Sequence, residues 1–218
     1  MTDRVVNLNF DQQKAQTLSK CDLSRKGAID EPIRDLITKL NRHPDLCTSS
    51  SCSGRLIIFA QMPESGTTTI RTKHECQWIH TSHEPVTSLP QNVWNEVNQA
   101  ATQGKDVVLK FEPFILHVQC RTLPMAQTLH RLALESGFRN SGITISSSNK
   151  TTVAVRCTVG LEVPLAGQGA LMVSRDHLDW IADLCATQKF DQNMKLIQRF
   201  DGAFSEFFQT TTYSTPLA

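Results

Sequence analysis

The apolar run Arg55-Leu56-Ile57-Ile58-Phe59-Ala60 leaves neither side of a strand for water. It is read as a strand buried on both faces of a sheet, which the rest of the chain must cover with further layers. The segment before it supplies one. Asp30 has the type and place of a helix N-cap, and Glu31 and Pro32 suit a first turn. Ile33, Leu36, Ile37 and Leu40 then recur at helical spacing until His43-Pro44 ends the pattern. Between helix and strand lies Thr48-Ser49-Ser50-Ser51-Cys52-Ser53-Gly54-Arg55. It follows no secondary-structure period and is read as a turn.

The alternation continues downstream. Residues 76–82 read as a strand, and a helix from about Pro90 to Gln103 puts Val93, Trp94, Val97 and Ala101 on one face with Gly104 at its C-cap. Val107 to Phe111 and Phe114 to Cys120 read as two strands broken at Pro113. A helix starting at Pro124 shares Met125, Leu129, Leu132 and Ala133 on a face and closes at Gly137. Strands from Gly142 to Ser146 and Thr151 to Thr158 flank a hairpin turn, and Gly167-Gln168-Gly169 sits in a loop or edge segment. Ser174 caps a long helix that continues or restarts from Phe190 to Phe208. The expected fold is α/β (α+β): one domain over residues 1–208, a mixed sheet of repeated strand-strand-helix-strand units, and a disordered tail at 209–218.

Composition narrows the function. Of 218 residues, 39% are hydrophobic and 20% charged, and the net charge of +1 means that a nucleic-acid partner must be met by a local basic patch. No run approaches signal-peptide or membrane-spanning length, so a cytoplasmic protein is expected. The seven cysteines contain no CxxC pair, and His74, Cys76, His80 and His83 lack the paired spacing of structural zinc, so no metal is expected. Cys120, Cys157 and Cys185 read as small buried hydrophobes.

The chain carries no GxGxxG, no P-loop and no GxSxG elbow, and Cys52 to Arg55 is too short a spacing for the loop of a thiol phosphatase. What remains is a polar site of Ser50, Ser51, Cys52, Gly54 and Arg55, whose hydroxyls, backbone N–H groups and guanidinium suit an anion or carboxylate. These residues alone name no reaction.

Several blocks do carry a resemblance: residues 22–27 with Asp30, the Thr-x-Ser-Ser-Cys-x-Gly-Arg signature at 48–55, Ser82-His83, and residues 110–121, 137–143 and 161–165. In these the chain resembles the tRNA wybutosine-synthesising protein 3 family of S-adenosylmethionine-dependent methyltransferases. The resemblance implies a fold unlike the Rossmann-like methyltransferases, in keeping with the missing glycine fingerprint. It implies methylation of the N4 ring nitrogen of the 7-(3-amino-3-carboxypropyl)-4-demethylwyosine nucleoside beside the anticodon of tRNA(Phe). It also implies an active centre of Ser50, Ser51, Cys52, Gly54 and Arg55 with Asp30 and either His83 or His117. Ser50, Ser51, Gly54 and Arg55 are then the groups for S-adenosylmethionine. Arg25, Lys26, Arg121, Arg139 and Asn140, with Lys150 and Arg156, are the groups for the anticodon loop. Two other classes stay open: a non-catalytic RNA-binding module, and a hydrolase using Cys52 with His83 or His117.

Overall fold

The structure, a computed structural model, describes residues 2–19, 27–62 and 76–212. Its helices are α1 (Thr2–Leu18), α2 (Arg34–Arg42, preceded by a 3₁₀ turn at Glu31–Ile33), α3 (Gln91–Thr102), α4 (Leu123–Glu135), α5 (Arg175–Leu184) and α6 (Phe190–Thr212). A π turn at Cys185–Lys189 joins the last two. The strands are β1 (Leu46–Gln61), β2 (Gln77–Ser82), β3 (Asp106–Cys120), β4 (Gly142–Ile145), β5 (Thr151–Arg156), β6 (Leu161–Gly167) and β7 (Ala170–Leu171). They form a seven-stranded sheet in the order β2-β1-β3-β5-β4, with β6 beside β3 and β7 beside β6. The pairings β1 with β2, β3 with β5 and β6, β4 with β5, and β6 with β7 are all antiparallel. These replace the expected mixed sheet, because the hairpins of β4 with β5 and β6 with β7 are short connections that only antiparallel neighbours allow.

Helix ends follow local chemistry. The Ser174 hydroxyl accepts the His177 N–H at the start of α5, and Thr122 accepts from Met125 at the start of α4. Gly137, at φ 103°, turns the chain away after α4, where a Cβ would meet Leu196 at 2.8 Å. The GxG is the two-residue turn of the β6–β7 hairpin: Gln168 and Gly169 both have positive φ, 55° and 76°, as a type I′ turn demands. α6 continues past Phe208 to Thr212, into what was expected to be tail, while residues 213–218 lie outside the described ones.

Two expectations about strands are corrected. Thr48 to Arg55 is no turn but the middle of β1, and Pro113 does not break β3. On one edge of β3 the register with β6 covers Val107 to Phe111 and that with β5 covers Ile115 to Cys120. Pro113 falls between these registers, where a missing N–H breaks no bond to either partner.

The chain divides into two compact units. The first comprises residues 1–53, 114–158 and 194–218, and the second residues 54–113 and 159–193. Each has its own core. In the first, Ile33, Leu36, Ile37 and Leu40 from the α2 segment, Leu129 of α4 and Phe200 and Phe204 of α6 cover Phe114, Leu116 and Val118 of β3 and Val153 and Val155 of β5. The rings of Phe114, Phe138 and Phe200 pack in series at centroid distances of 5.4 and 5.9 Å. In the second, Val93 and Val97 of α3 and Leu178 and Ile181 of α5 cover Leu56, Ile58, Leu109 and Phe111. At roughly 1.5–3 kcal/mol for each large apolar side chain removed from water, these layers hold the strands on which the polar residues stand.

Candidate functional site

Strand alternation sorts β3 and β5 into an apolar and a polar face. Phe114, Leu116, Val118, Val153 and Val155 face the first core, so His117, Gln119, Thr152 and Arg156 stand on the opposite face. The polar half of β1 holds to this arrangement through side chains distant in sequence. Asn41 brackets Thr48, its Oδ1 accepting the backbone N–H at 2.9 Å and its Nδ2 donating to the hydroxyl at 2.8 Å. The Ser49 hydroxyl donates to the His117 carbonyl at 3.3 Å. Those bonds make a strand of residues with little β-propensity.

Asp30 supplies the third tie, and it overturns a sequence expectation. The residue occupies the N-cap position but its side chain makes no capping bond; the buried carboxylate instead accepts the backbone N–H of Ser53 at 2.8 Å. A charge in a nearly dry place persists only where it is hydrogen-bonded, and this one is bonded to the signature strand next to Cys52.

His117 is bonded at both ring nitrogens. The Ser50 Oγ lies 2.9 Å from Nδ1 and the Arg156 Nη2 lies 3.0 Å from Nε2. Burial, then the positive charge of Arg156, pushes the imidazole below its ordinary value, so the ring is neutral at physiological pH. A guanidinium has no acceptor, hence Nε2 is the accepting nitrogen and the proton sits on Nδ1. His117 therefore has no lone pair left for general-base work.

Within the second unit, Gly54 takes φ 109°, a conformation that only glycine adopts without strain. Next to it the Arg55 Nε and Nη2 donate to one oxygen of Glu112 at 2.8 and 2.7 Å, and the guanidinium lies 5.4 Å from the Trp78 ring centroid. Its charge is thus shared with a carboxylate, leaving its remaining donors for a ligand. His83, half-buried, follows β2 in the same unit. Glu112 and Asn41 were not picked out in the sequence. The one available signal was a carboxylate between apolar neighbours in the Phe111-Glu112-Pro113-Phe114 run.

The expected RNA contacts divide. Arg139 and Asn140 are exposed after α4, and Lys150 and Arg156 are exposed at the two ends of β5. Arg121 is corrected: its guanidinium bonds Asp45, Asp11 and the Pro44 carbonyl and stacks over Phe10, and only 11% of its side chain is exposed, so it is a strut and not a free cation. Arg25 and Lys26 lie outside the described residues. Cys120 and Cys185 are buried as expected, whereas Cys157 is only partly buried. Among the described residues no helix is long and apolar enough to cross a membrane.

Residues 12–206 match the family described as Methyltransferase TYW3, a class of methyltransferases. The tRNA wybutosine-synthesizing protein 3 homolog of Bos taurus is 41% identical over 211 residues, covering 96% of this chain and 78% of its own. The Mus musculus homolog is 45% identical over 193 residues, covering 88% and 71%. The PH1069 protein of Pyrococcus horikoshii superposes with a TM-score of 0.71 at 28% identity, over 90% of this chain and 96% of its own. A hypothetical protein from Aeropyrum pernix shares the fold at a TM-score of 0.62 and 22% identity, over 81% and 98%. The chain belongs to the TYW3 methyltransferase family. It is a methyltransferase and draws its methyl group from a donor.

Proposed function

We propose that this enzyme transfers a methyl group from S-adenosylmethionine to the N4 ring nitrogen of 7-(3-amino-3-carboxypropyl)-4-demethylwyosine next to the anticodon of tRNA(Phe), in the cytoplasm. The observation that carries the site assignment is Asp30: a buried carboxylate that leaves its cap and bonds the backbone one residue past Cys52.

The residues present fit a charged, amino-acid-bearing methyl donor. Ser50 reaches the surface, Ser51 is half-buried beside it, and Arg55 keeps donors beyond those given to Glu112; all are donors suited to a carboxylate. When bound, S-adenosylmethionine supplies a methyl group on a sulfonium, which is already activated for transfer. The protein's task is then alignment and exclusion of water. The Ser50 hydroxyl, which reaches the surface from β1, would hold the donor's carboxylate end. Asp30 would take the proton that the ring nitrogen must lose, and its bond from Ser53 keeps the carboxylate aimed for that purpose. Cys52 forms a wall of the pocket. The exposed Arg139, Asn140 and Lys150 meet phosphates of the anticodon loop, whose unpaired bases need no melting.

The experiment incubates the protein with methyl-labelled S-adenosylmethionine and tRNA(Phe) from cells lacking this enzyme, then digests the tRNA. Label in the tricyclic nucleoside is the expected result; label in no nucleoside removes the assignment.

A further inference from the structure

The hydrogen-bond directions at His117 determine more than the charge of the ring. Nε2 accepts from Arg156 at 3.0 Å, so Nδ1 carries the proton and donates it to the Ser50 Oγ at 2.9 Å. The Ser50 oxygen is thereby used as an acceptor, and its own hydrogen is directed to some further group. All donors in the chain Arg156, His117, Ser50 point one way, and such a chain ends best on an anion, since each bond polarises the next.

The sheet builds this geometry. Arg156 pairs with Ile115 and His117 with Ala154, which makes Arg156 and His117 diagonal neighbours on one face of adjacent strands, within reach of long side chains. The backbone N–H of Arg156 donates to the Ser141 hydroxyl at 3.1 Å, and the Ser49 hydroxyl holds the His117 carbonyl from β1. Without Arg156, nothing on the ring would favour one tautomer over the other, and Ser50 could as well spend its hydrogen on Nδ1.

We infer that Arg156 is a positioning residue that locks His117 in its Nδ1–H form, so that Ser50 is presented as a hydroxyl donor to a substrate carboxylate. The inference rests on the methyl-transfer assignment for its ligand but not for the tautomer. Two carboxylates are available in that reaction: the amino-acid end of the methyl donor and the aminocarboxypropyl chain of the nucleoside. They share one recognition chemistry.

The test pairs a spectroscopic readout with binding. Protein labelled with ¹⁵N-histidine is compared with Arg156→Leu, which cannot donate, and Arg156→Lys, which can. In the wild type the His117 Nδ1 resonates as a protonated nitrogen and Nε2 as a bare one; Arg156→Leu mixes or reverses the assignment and Arg156→Lys restores it. Titrations of wild type, Arg156→Leu and Ser50→Ala with S-adenosylmethionine and, separately, with the unmethylated tRNA follow. A loss of about tenfold or more, the size of a bond to a charged group, confined to the methyl donor identifies the donor's carboxylate. The same loss confined to the tRNA identifies the nucleoside's. A bare Nδ1 in the wild type overturns the inference. So does an Arg156→Leu protein with an unchanged tautomer, or one with both affinities intact. Because neither readout needs turnover, a protein that shows the locked tautomer and the binding loss but transfers no methyl group leaves this inference standing and refutes the methyl-transfer assignment.

Discussion

Asp30 allows the sharpest prediction, because its two roles respond oppositely to two substitutions. Serine is as good an N-cap as aspartate, so if Asp30 served the helix, Asp30→Ser would be silent. The structure has the carboxylate 2.8 Å from the Ser53 N–H and not on the helix at all, and serine is too short to make that bond. Asp30→Ser then strands a buried donor at a cost of about 1–3 kcal/mol. For a chain of this length that lowers the midpoint of thermal unfolding by roughly 4–8 °C, taking about 2 kcal/mol and some 2–4 °C per kcal/mol. Asp30→Asn keeps an acceptor at the same place and exchanges a charged bond for a neutral one, costing about 1 kcal/mol. Both variants lose the base that takes the ring proton, so single-turnover methyl transfer falls by about 10²–10⁴-fold in each. Urea unfolding followed by circular dichroism, alongside transfer of labelled methyl, reads both effects. An Asp30→Ser protein within about 0.5 kcal/mol of wild type would refute the diverted carboxylate. An Asp30→Asn protein methylating within a few-fold of wild type would refute the base.

Three further outcomes are expected. Burial holds His80 below its ordinary value of 6.5, and its Nε2 is buried with no hydrogen-bond partner among the described residues. The folded state therefore binds that proton less well than the unfolded one, and the stability present above about pH 6.5 is lost as pH falls through the depressed value. His80→Gln should flatten the drop in urea midpoint between pH 7.5 and 5.5. Burial raises the Cys120 thiol to about 12 and the Cys185 thiol to about 11, so iodoacetamide at pH 8 should label neither until the protein is unfolded, as mass spectrometry of peptides will show. Gln168, at φ 55° in the I′ turn, is strained in a way that Gly or Asn is not; Gln168→Gly should raise stability by about 0.5–1 kcal/mol in urea melts.

Helices were the legible part of the sequence, because their signals are local: the Ser174 cap, Pro124 in the first turn of α4 and the apolar spacing of Leu36, Ile37 and Leu40 all lie within a few residues of what they specify. β1 was half legible. Its apolar end announced a strand, while Thr48 to Ser53 did not, since the partners that hold it extended, Asn41, Asp30 and His117, act from other elements. Pro113 misled for the same reason: whether proline breaks a strand depends on which neighbours need its N–H, and that is a property of the register with β5 and β6. The site behaved likewise. Its residues stood out by type, but the cap reading of Asp30 and the free-cation reading of Arg121 each turned on hydrogen bonds that only the fold creates.

The division of the chain into interleaved units has a meaning for how the protein is made. The first unit begins with α1, α2 and the polar half of β1, yet its core needs Ile197, Phe200 and Phe204 from α6, which is synthesised after every other described element. The second unit has all of its segments by residue 193. On a ribosome adding about 5–20 residues per second, the strand bearing the Ser-Cys signature waits on the order of ten seconds for its last layer. Ser50 and Cys52 thus emerge early while the core of their unit closes last, and in that interval its apolar side chains are open to whatever binds nascent chains.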